Sequence, residues 1–555
     1  MKLECLESRF SNSEGGKTMS NNFRHFGVMI DNSRNAVMKP ETVKQMIDLL
    51  EKMGYNSLML YTEDTYEVNN QPYFGYLRGR YTKEEIKELD AYGREHGVEL
   101  IPCIQSLAHL NAIMRWTYAN HCDTGDILCV GDEKTYELIE DIFATLNECF
   151  TSKTVNIGMD EAHMIGRGRY LDKNGYRERV DIFMEHLGRV SEIAKKYNFT
   201  LCMWSDMFYR MTVGQYESCE GKQEIDKSIA EKIPSNVKLI YWDYYSTDVN
   251  HYDDMFESHH QLQEDIWFTG GLWTWVGFSP HNKHGMKTSF PAVESCRKHG
   301  VKDVFFATWG DNGGDCSRFA ILPEMFYVSC LGKGITDEVE IKQRFEEMFE
   351  IPFDDFLLLD LPGTPSDLET GVSSAEKYLL YNDCFLGLFD KSVRPGDAES
   401  YAACAKKLQK QVNHPRWGWL FESMKTLCDV LAVKADIGIK TRTAYQIGDK
   451  EALAKLIPEY DKILKYAEAF YVAYEKQWMM ENKPHGFDVQ DIRIGGMKQR
   501  VRHCKQRLEA YVNGELTSLP ELEELLLDIE GGGVEGGGRP LFYNSWSLTS
   551  TVNTL

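Results

Sequence analysis

HFGVMIDNSRNAVMKPETVKQMIDLLEKMGYNSLMLYTED, residues 25–64, reads as one strand–helix–strand unit. The first run, HFGVMID, is apolar and ends in an acid. KPETVKQMIDLLEKMG follows, with apolar residues at helical spacing, Pro near its start and Gly at its end. YNSLMLYTED is apolar again and closes on two acids. Both strand-like runs are continuous in their hydrophobicity, as strands covered on two faces are. A doubly wound nucleotide-binding sheet would place a glycine-rich loop after the first strand, and DNSRNAVMKP stands there instead.

The unit recurs along the chain. VELIPCIQ, TVNIGMDE, TLCMWSD, VKLIYWDYY, IWFTGGLWTW and VFFATWGDN continue the series, with amphipathic stretches such as TKEEIKELDAYGREHG between them. Eight strands and eight helical segments are complete near Gly334, an order that predicts an α/β fold with a parallel (β/α)8 TIM barrel over residues 24–335. Strand texture then stops. Long helical patterns, EALAKLIPEYDKILKYAEAFYVAYEKQWMM among them, predict an all-α C-terminal domain over residues 336–555, ending after EGGGVEGGGRP in an extended tail. It packs on the barrel or on a second copy of the chain in a homodimer. Residues 1–23 carry charges where a signal peptide needs an apolar stretch and read as a disordered leader.

Composition narrows the partners. Lys and Arg number 62 against 85 Asp and Glu, so the net charge of −23 argues against nucleic acid and anionic membranes. No apolar run approaches the roughly 18 residues that cross a bilayer. The 14 Cys form no CxxC pair and many sit in apolar segments, which fits free buried thiols in a reducing compartment. Together these features predict a cytoplasmic protein.

In such a barrel the C-terminal strand ends face the active-site mouth. Here they offer Asp31, Arg34, Glu63, Asp64, His109, Asp160, Glu161, Trp204, Asp206, Trp242, Tyr244, Tyr245, Trp273, Trp275, Trp309 and Asp311. A ring of Trp with a few acids and one Arg suits a neutral sugar, whose C–H face stacks on indole while its hydroxyls meet charge. The acids Asp160 and Glu161 are adjacent, in VNIGMDEAHMIGRGRY (155–170). Adjacent residues cannot readily flank one anomeric carbon at the ~5–9.5 Å separation that ordinary glycosidases use. Working from one side, Glu161 can protonate the leaving oxygen while an ionised Asp160 supports a nucleophile carried by the substrate, the carbonyl of a 2-acetamido group. His109 and His163 do not amount to a metal site, and neither metal nor cofactor is expected.

These residues resemble family 20 glycoside hydrolases, the β-N-acetylhexosaminidases, and in particular a bacterial subgroup with a helical C-terminal domain. The likeness lies in GVMIDNSRN, IGMDEAH, MWSD and TWGDNG, in that order, with support from YLLYNDCFLGLFD and KPHGFDVQDIRIGG. It implies an exo-acting enzyme that removes a terminal non-reducing β-linked GlcNAc or GalNAc from a β-linked N-acetylhexosamine glycoside, retaining configuration through an oxazolinium ion. Asp160 would orient the acetamido group and Glu161 would be the acid and base. Arg34 would bind the C3 and C4 hydroxyls, Trp204 and Trp309 would wall the pocket, and His109 would support the acids. Asp311, where the family more often has Glu, would meet the C4 or C6 hydroxyl. The family's strand-seven Tyr is absent from GGLWTWVGF, so its part passes to Tyr244 or Tyr245, with Trp242 as a wall. A hydrolase of modified aminosugars and a non-catalytic sugar-binding barrel remain as alternatives.

Overall fold

The computed structural model describes residues 23–117, 119–365, 372–529, 531–535 and 546–547. The leader expected up to residue 22 and most of the expected extended tail lie outside the described residues. Eight strands close into a barrel in chain order. They are β1 (His25–Asp31), β2 (Ser57–Tyr61), β3 (Glu99–Cys103), β4 (Thr154–Asn156), β5 (Thr200–Trp204), β6 (Val237–Trp242), β7 (Trp267–Gly271) and β8 (Asp303–Thr308). Every neighbouring pair is parallel, and β8 returns to β1 with Phe305 opposite Gly27. The expected TIM barrel is therefore present.

Local rules set the connecting helices. In α1 (Pro40–Met53) Pro stands in the first turn, Val43, Met46, Ile47 and Leu50 form the buried face, and Gly54 ends the helix in the left-handed conformation (φ 87°), its N–H bonded to the carbonyls of Leu50 and Glu51. In α2 (Lys83–Glu95) Thr82 and Glu85 cap each other reciprocally. Three long helices follow the next strands: α3 (Glu133–Cys149) after β3, α4 (Arg179–Lys196) after β4, and α6 (Val249–His259) after β6. The turn after β5 departs from the regular plan: α5 (Asp206–Thr212) is a helix of seven residues that begins two residues beyond the strand. α7 (Asn282–Lys298) and α8 (Leu322–Gly332) complete the outer ring.

β4 is shorter than its apolar run predicts. It stops at Asn156 because Gly158 (φ 69°), Met159 (φ 69°) and Glu161 (φ 51°) turn into the left-handed region, where a ladder cannot continue. Asp160 and Glu161 thus stand on a tight turn beyond the strand and not at its end.

Beyond α8 the described chain is helical and packs on the barrel. The long helices are α9 (Gly418–Lys434), α10 (Lys450–Glu481) and α11 (Phe487–Val512). HPRWGW (414–419) is a packing turn: the Trp417 indole N–H donates to the Phe349 carbonyl (2.8 Å) and its ring lies 5.5 Å from that of Phe356. Among the described residues no helix is long and apolar enough to cross a membrane.

Gly27 shows how tightly the barrel closes. A Cβ there would stand 2.5 Å from Phe305 Cε1 and 2.6 Å from the Ser57 carbonyl oxygen. Gly27→Ala is expected to destabilise the protein by about 1–3 kcal/mol, the usual cost of overpacking. A denaturant or thermal unfolding curve unchanged from the parent would contradict this.

Candidate active site

The strand ends enclose a cavity of about 310 Å3 lined by Arg34, His109, Asp160, Glu161, Trp204, Glu217, Trp242, Tyr244, Tyr245, Trp275, Trp309 and Asp311. Eleven of these twelve are residues singled out in the sequence. Of the strand-end residues expected at the mouth, Asp31, Glu63, Asp64, Asp206 and Trp273 do not line it, and Trp273, the one expected to touch the sugar, is set behind the wall. Its ring stacks on Trp275 at 4.3 Å, its edge meets His284, and it is 2% exposed. Gly271, the last residue of β7, makes the room for this side of the wall, since a Cβ there would fall 2.7 Å from Trp275 Cη2 and 3.1 Å from Tyr244 Cβ.

A larger cavity, about 420 Å3, lies in the helical region, lined mostly by apolar side chains such as Met497 and Leu526. Its principal charges, Asp383 and Arg500, pair with one another (3.2 Å). It offers no acid beside an aromatic wall. The smaller cavity brings the acids, the Arg and the indoles together.

Asp160 and Glu161 are set by groups from three strand ends. Gln105, two residues past β3, accepts the Met159 N–H (3.1 Å), donates to Asp160 Oδ1 (2.7 Å) and donates to the Tyr61 hydroxyl (3.0 Å). Gly158 is required beside it, because a Cβ at that position would fall 2.1 Å from Gln105 Oε1. Asp206, at the start of α5, accepts the Glu161 N–H (3.1 Å) and so holds the left-handed turn from the other side. His109 Nε2 reaches both acids, at 3.3 Å from Asp160 Oδ2 and 3.6 Å from Glu161 Oε2.

The two acids are pushed apart in proton affinity. Burial raises the Asp160 carboxyl, but the nearby His109 charge and the hydrogen bond from Gln105 outweigh it and hold the group below its ordinary value. Burial and the charge of Asp160 both raise Glu161, with His109 and Arg210 opposing in part. Burial also works against the His109 imidazolium, yet Asp160 overrides it and lifts the ring to about 9, charged at neutral pH. Asp160 is thereby an anion, and Glu161, the more exposed of the two at 39% of its side chain against 13%, is the group ready to carry a proton.

Arg34 lies 3.1 Å from Asp31 Oδ2 and 3.2 Å from Glu63 Oε1, its guanidinium carbon 5.2 and 5.4 Å from the ring centres of Tyr61 and Trp309. Burial disfavours its charge, and Glu63 with the surrounding acids more than restores it. Burial raises the Asp311 carboxyl while Arg34 pulls it down. Trp309 also meets Tyr61 edge-on (4.9 Å) and Trp204 (6.0 Å), and Trp242 stacks on Tyr244 (5.1 Å).

Several participants were not assigned from sequence. Gln105 is a neutral amide within an apolar run, and nothing in that run marks it. The sequence places Asp31, Glu63 and Asp206 at the rim, but their partners depend on the folded loops. Arg210 and Glu217 come from the turn after β5. Arg210, one helical turn beyond Asp206, bonds it (2.8 Å), pairs closely with Glu217 and comes within 3.6 Å of Glu161 Oε1. Burial and Asp160 lift Asp206 to about 7, against the pull of Arg210. Among the described residues no group of His, Cys, Asp or Glu is arranged to hold a metal ion.

Arg210→Gln removes a positive charge facing Glu161 and leaves Glu217 unneutralised beside it. Both changes raise Glu161. A step that needs protonated Glu161 is lost as pH rises through its pKa, so the alkaline limb of kcat/KM should move up by about one unit, the scale of a single nearby charge. A limb that stays or moves down would show that Arg210 does not act on this acid.

Known proteins place the chain. It is 22% identical over 227 residues to human Hexosaminidase D, an alignment covering 38% of this chain and 43% of that protein. It is 25% identical over 171 residues to a Beta-hexosaminidase of Akkermansia muciniphila, covering 24% and 34%. The alignments thus span less than half the length of these two curated relatives. A crystal structure of a beta-N-acetylhexosaminidase from Bacteroides fragilis superposes with a TM-score of 0.46 at 16% identity, covering 59% of this chain and 70% of that one. The model for the catalytic domain of glycosyl hydrolase family 20 matches residues 23–264, which includes Arg34 and the acid pair and stops before β7. The Glycoside Hydrolase 20C C-terminal domain matches residues 354–537. With two domains of one family matched in succession over most of its length, the chain belongs to glycosyl hydrolase family 20.

Proposed function

We propose that the protein is an exo-acting β-N-acetylhexosaminidase that removes a terminal, non-reducing β-linked N-acetylhexosamine with retention of configuration. The observation that carries this is the divided state of adjacent carboxyls, Asp160 held anionic and Glu161 pushed toward its acid form, facing one indole-walled cavity. At about 310 Å3 that cavity lies at the low end of ligand pockets, roughly 300–1,000 Å3, and suits a single sugar better than a chain threaded through. The relatives' names, hexosaminidases all, support the same reading.

In this reading the acetamido carbonyl oxygen attacks C1 as Glu161 delivers its proton to the glycosidic oxygen. The C1–O bond breaks and the leaving sugar departs as an alcohol. Positive charge grows on the acetamido nitrogen, whose N–H the Asp160 carboxylate accepts. Glu161, now ionised, takes a proton from water as that water opens the oxazolinium at C1 and is ready to donate again. No protein atom becomes bonded to the sugar. Arg34 takes the C3 and C4 hydroxyls and Asp311 the C4 or C6 hydroxyl. Trp204, Trp242, Trp275 and Trp309 pack on the ring and the acetamido methyl, and the Tyr244 or Tyr245 hydroxyl donates to the acetamido carbonyl. His109 keeps Asp160 charged. Trp273, behind Trp275, supports the wall without touching the sugar.

Glu161→Gln should lower turnover of an alkyl or disaccharide β-N-acetylglucosaminide by roughly 10²–10⁴-fold, the usual weight of a general acid. Retained turnover would remove Glu161 from that part. A thiazoline analogue of N-acetylglucosamine should compete strongly, and aryl β-glucosides lacking the acetamido group should hardly react. Rapid cleavage of such glucosides, or a glycosyl ester trapped on a protein carboxylate, would exclude assistance by the substrate.

A further inference from the structure

The loops after β7 and β8 carry Trp275, Trp309 and Asp311, and the helical region grips both loops from outside the barrel. Asp360 accepts from Asn282 Nδ2 (2.8 Å) and the Lys283 N–H (2.9 Å). Glu376 accepts from the Ser279 hydroxyl (3.1 Å), and Glu481 from the Arg318 N–H (3.0 Å). A further set of these contacts falls on the residue next to Asp311. Asn312, the next residue, is in the left-handed conformation (φ 61°), and its carbonyl accepts hydrogen bonds from Arg493 (2.6 Å) and Lys377 Nζ (3.3 Å). Lys377 also pairs with Asp315 (2.5 Å), which accepts from Gln490 Nε2 (2.6 Å). Trp546 covers both cations, its ring centre 3.8 Å from Lys377 Nζ and 4.6 Å from the Arg493 guanidinium carbon.

Two buried cations meeting at one backbone carbonyl are costly, since each gives up water. Apolar packing could join the two regions without that cost. What the cations add is direction: with the Asn312 carbonyl pinned, the peptide after it cannot flip, and the residue before it keeps its heading. Asp311 is the residue this steadies: its carboxyl feels the Arg34 charge, and its backbone runs straight into the pinned Asn312.

We propose that Arg493, backed by Lys377, is a positioning residue for Asp311, so that the helical region sets how the enzyme reads the C4 or C6 hydroxyl of its sugar. This rests on Asp311 being the contact for that hydroxyl. Arg493 touches no substrate itself.

The test is a double-mutant cycle between Arg493→Met and Asp311→Ala, measured on aryl β-GlcNAc and aryl β-GalNAc substrates, which differ at C4. Arg493→Met should lower kcat/KM roughly 10- to 100-fold, chiefly through KM, as a misplaced contact does. The ratio between the two epimers should change and the pH profile should not. Arg493→Lys should recover part of the loss, because it keeps charge but lacks the planar fork. In an Asp311→Ala background, Arg493→Met should add nothing further. Losses that add in the double variant would overturn the positioning role while leaving Asp311 as a contact. An Asp311→Ala variant with parental KM on both epimers would instead overturn the reading of Asp311, and the proposal with it. Should Arg493→Met not fold, Arg493→Lys carries the same cycle with a smaller expected change.

Discussion

One buried imidazolium cannot neutralise two carboxylates, and the candidate site divides its cations unevenly: His109 stands nearer Asp160, while the Arg210 that reaches Glu161 is shared with Asp206 and Glu217. His109 stands within 3.6 Å of both acids, yet only Asp160 also receives the Gln105 amide. That hydrogen bond adds to the larger pull of the His109 charge, which itself lies nearer Asp160. Asp160 keeps its charge, and its charge in turn discourages ionisation of Glu161. The difference between the neighbouring acids is therefore made by their surroundings, the His109 charge first and the Gln105 amide with it, and owes little to the difference between Asp and Glu. Because the titrations are linked, a pH profile reports the pair as a unit.

The same amide fixes the backbone that carries the pair. Three of the four residues from Gly158 to Glu161 have positive φ, and for Met159 and Glu161 that conformation has a cost. Gln105 holds the Met159 N–H from β3, and Asp206 holds the Glu161 N–H from β5. Three consecutive strand ends thus lock one turn, which a barrel can do because all its strands open on one face. Ending β4 after three residues is what frees the chain to make that turn.

The barrel was legible because its strands are continuous apolar runs and its helices carry ordinary start and stop signals, such as Pro40 and Gly54. The wall of the site was legible because Trp and acid at strand ends are conspicuous. What escaped reading depends on how loops fold against one another. Trp273 and Trp275 would share a side if β7 continued, but β7 ends at Gly271, and in the loop one indole stacks behind the other. Arg210 and Glu217 belong to a turn whose short helix aims them at Glu161, and their sequence carries no sign of that aim. Gln105 is hidden for a related reason: a single amide at a strand exit has many structural uses, and only its three partners define this one.

The contact between the helical region and the barrel shows a preference for placement over stability. Burial lifts Asp360 to about 6 and Glu376 and Glu481 to about 7, well above ordinary carboxyls, even though each accepts hydrogen bonds. A carboxyl whose folded pKa is raised contributes its full stability only below the unfolded value, near 4, and loses it as pH climbs through the folded one. At neutral pH all three therefore weaken the fold compared with acid conditions. Apolar residues would avoid that loss, but could not accept the hydrogen bonds offered by Ser279, Lys283 and Arg318. These donors belong to the loops that carry Trp275, Trp309 and Asp311 into the cavity or to their immediate extensions. Stability is given up where it fixes the walls of the site, which is the pattern expected if the helical region is part of the sugar-binding apparatus and more than a prop for the barrel.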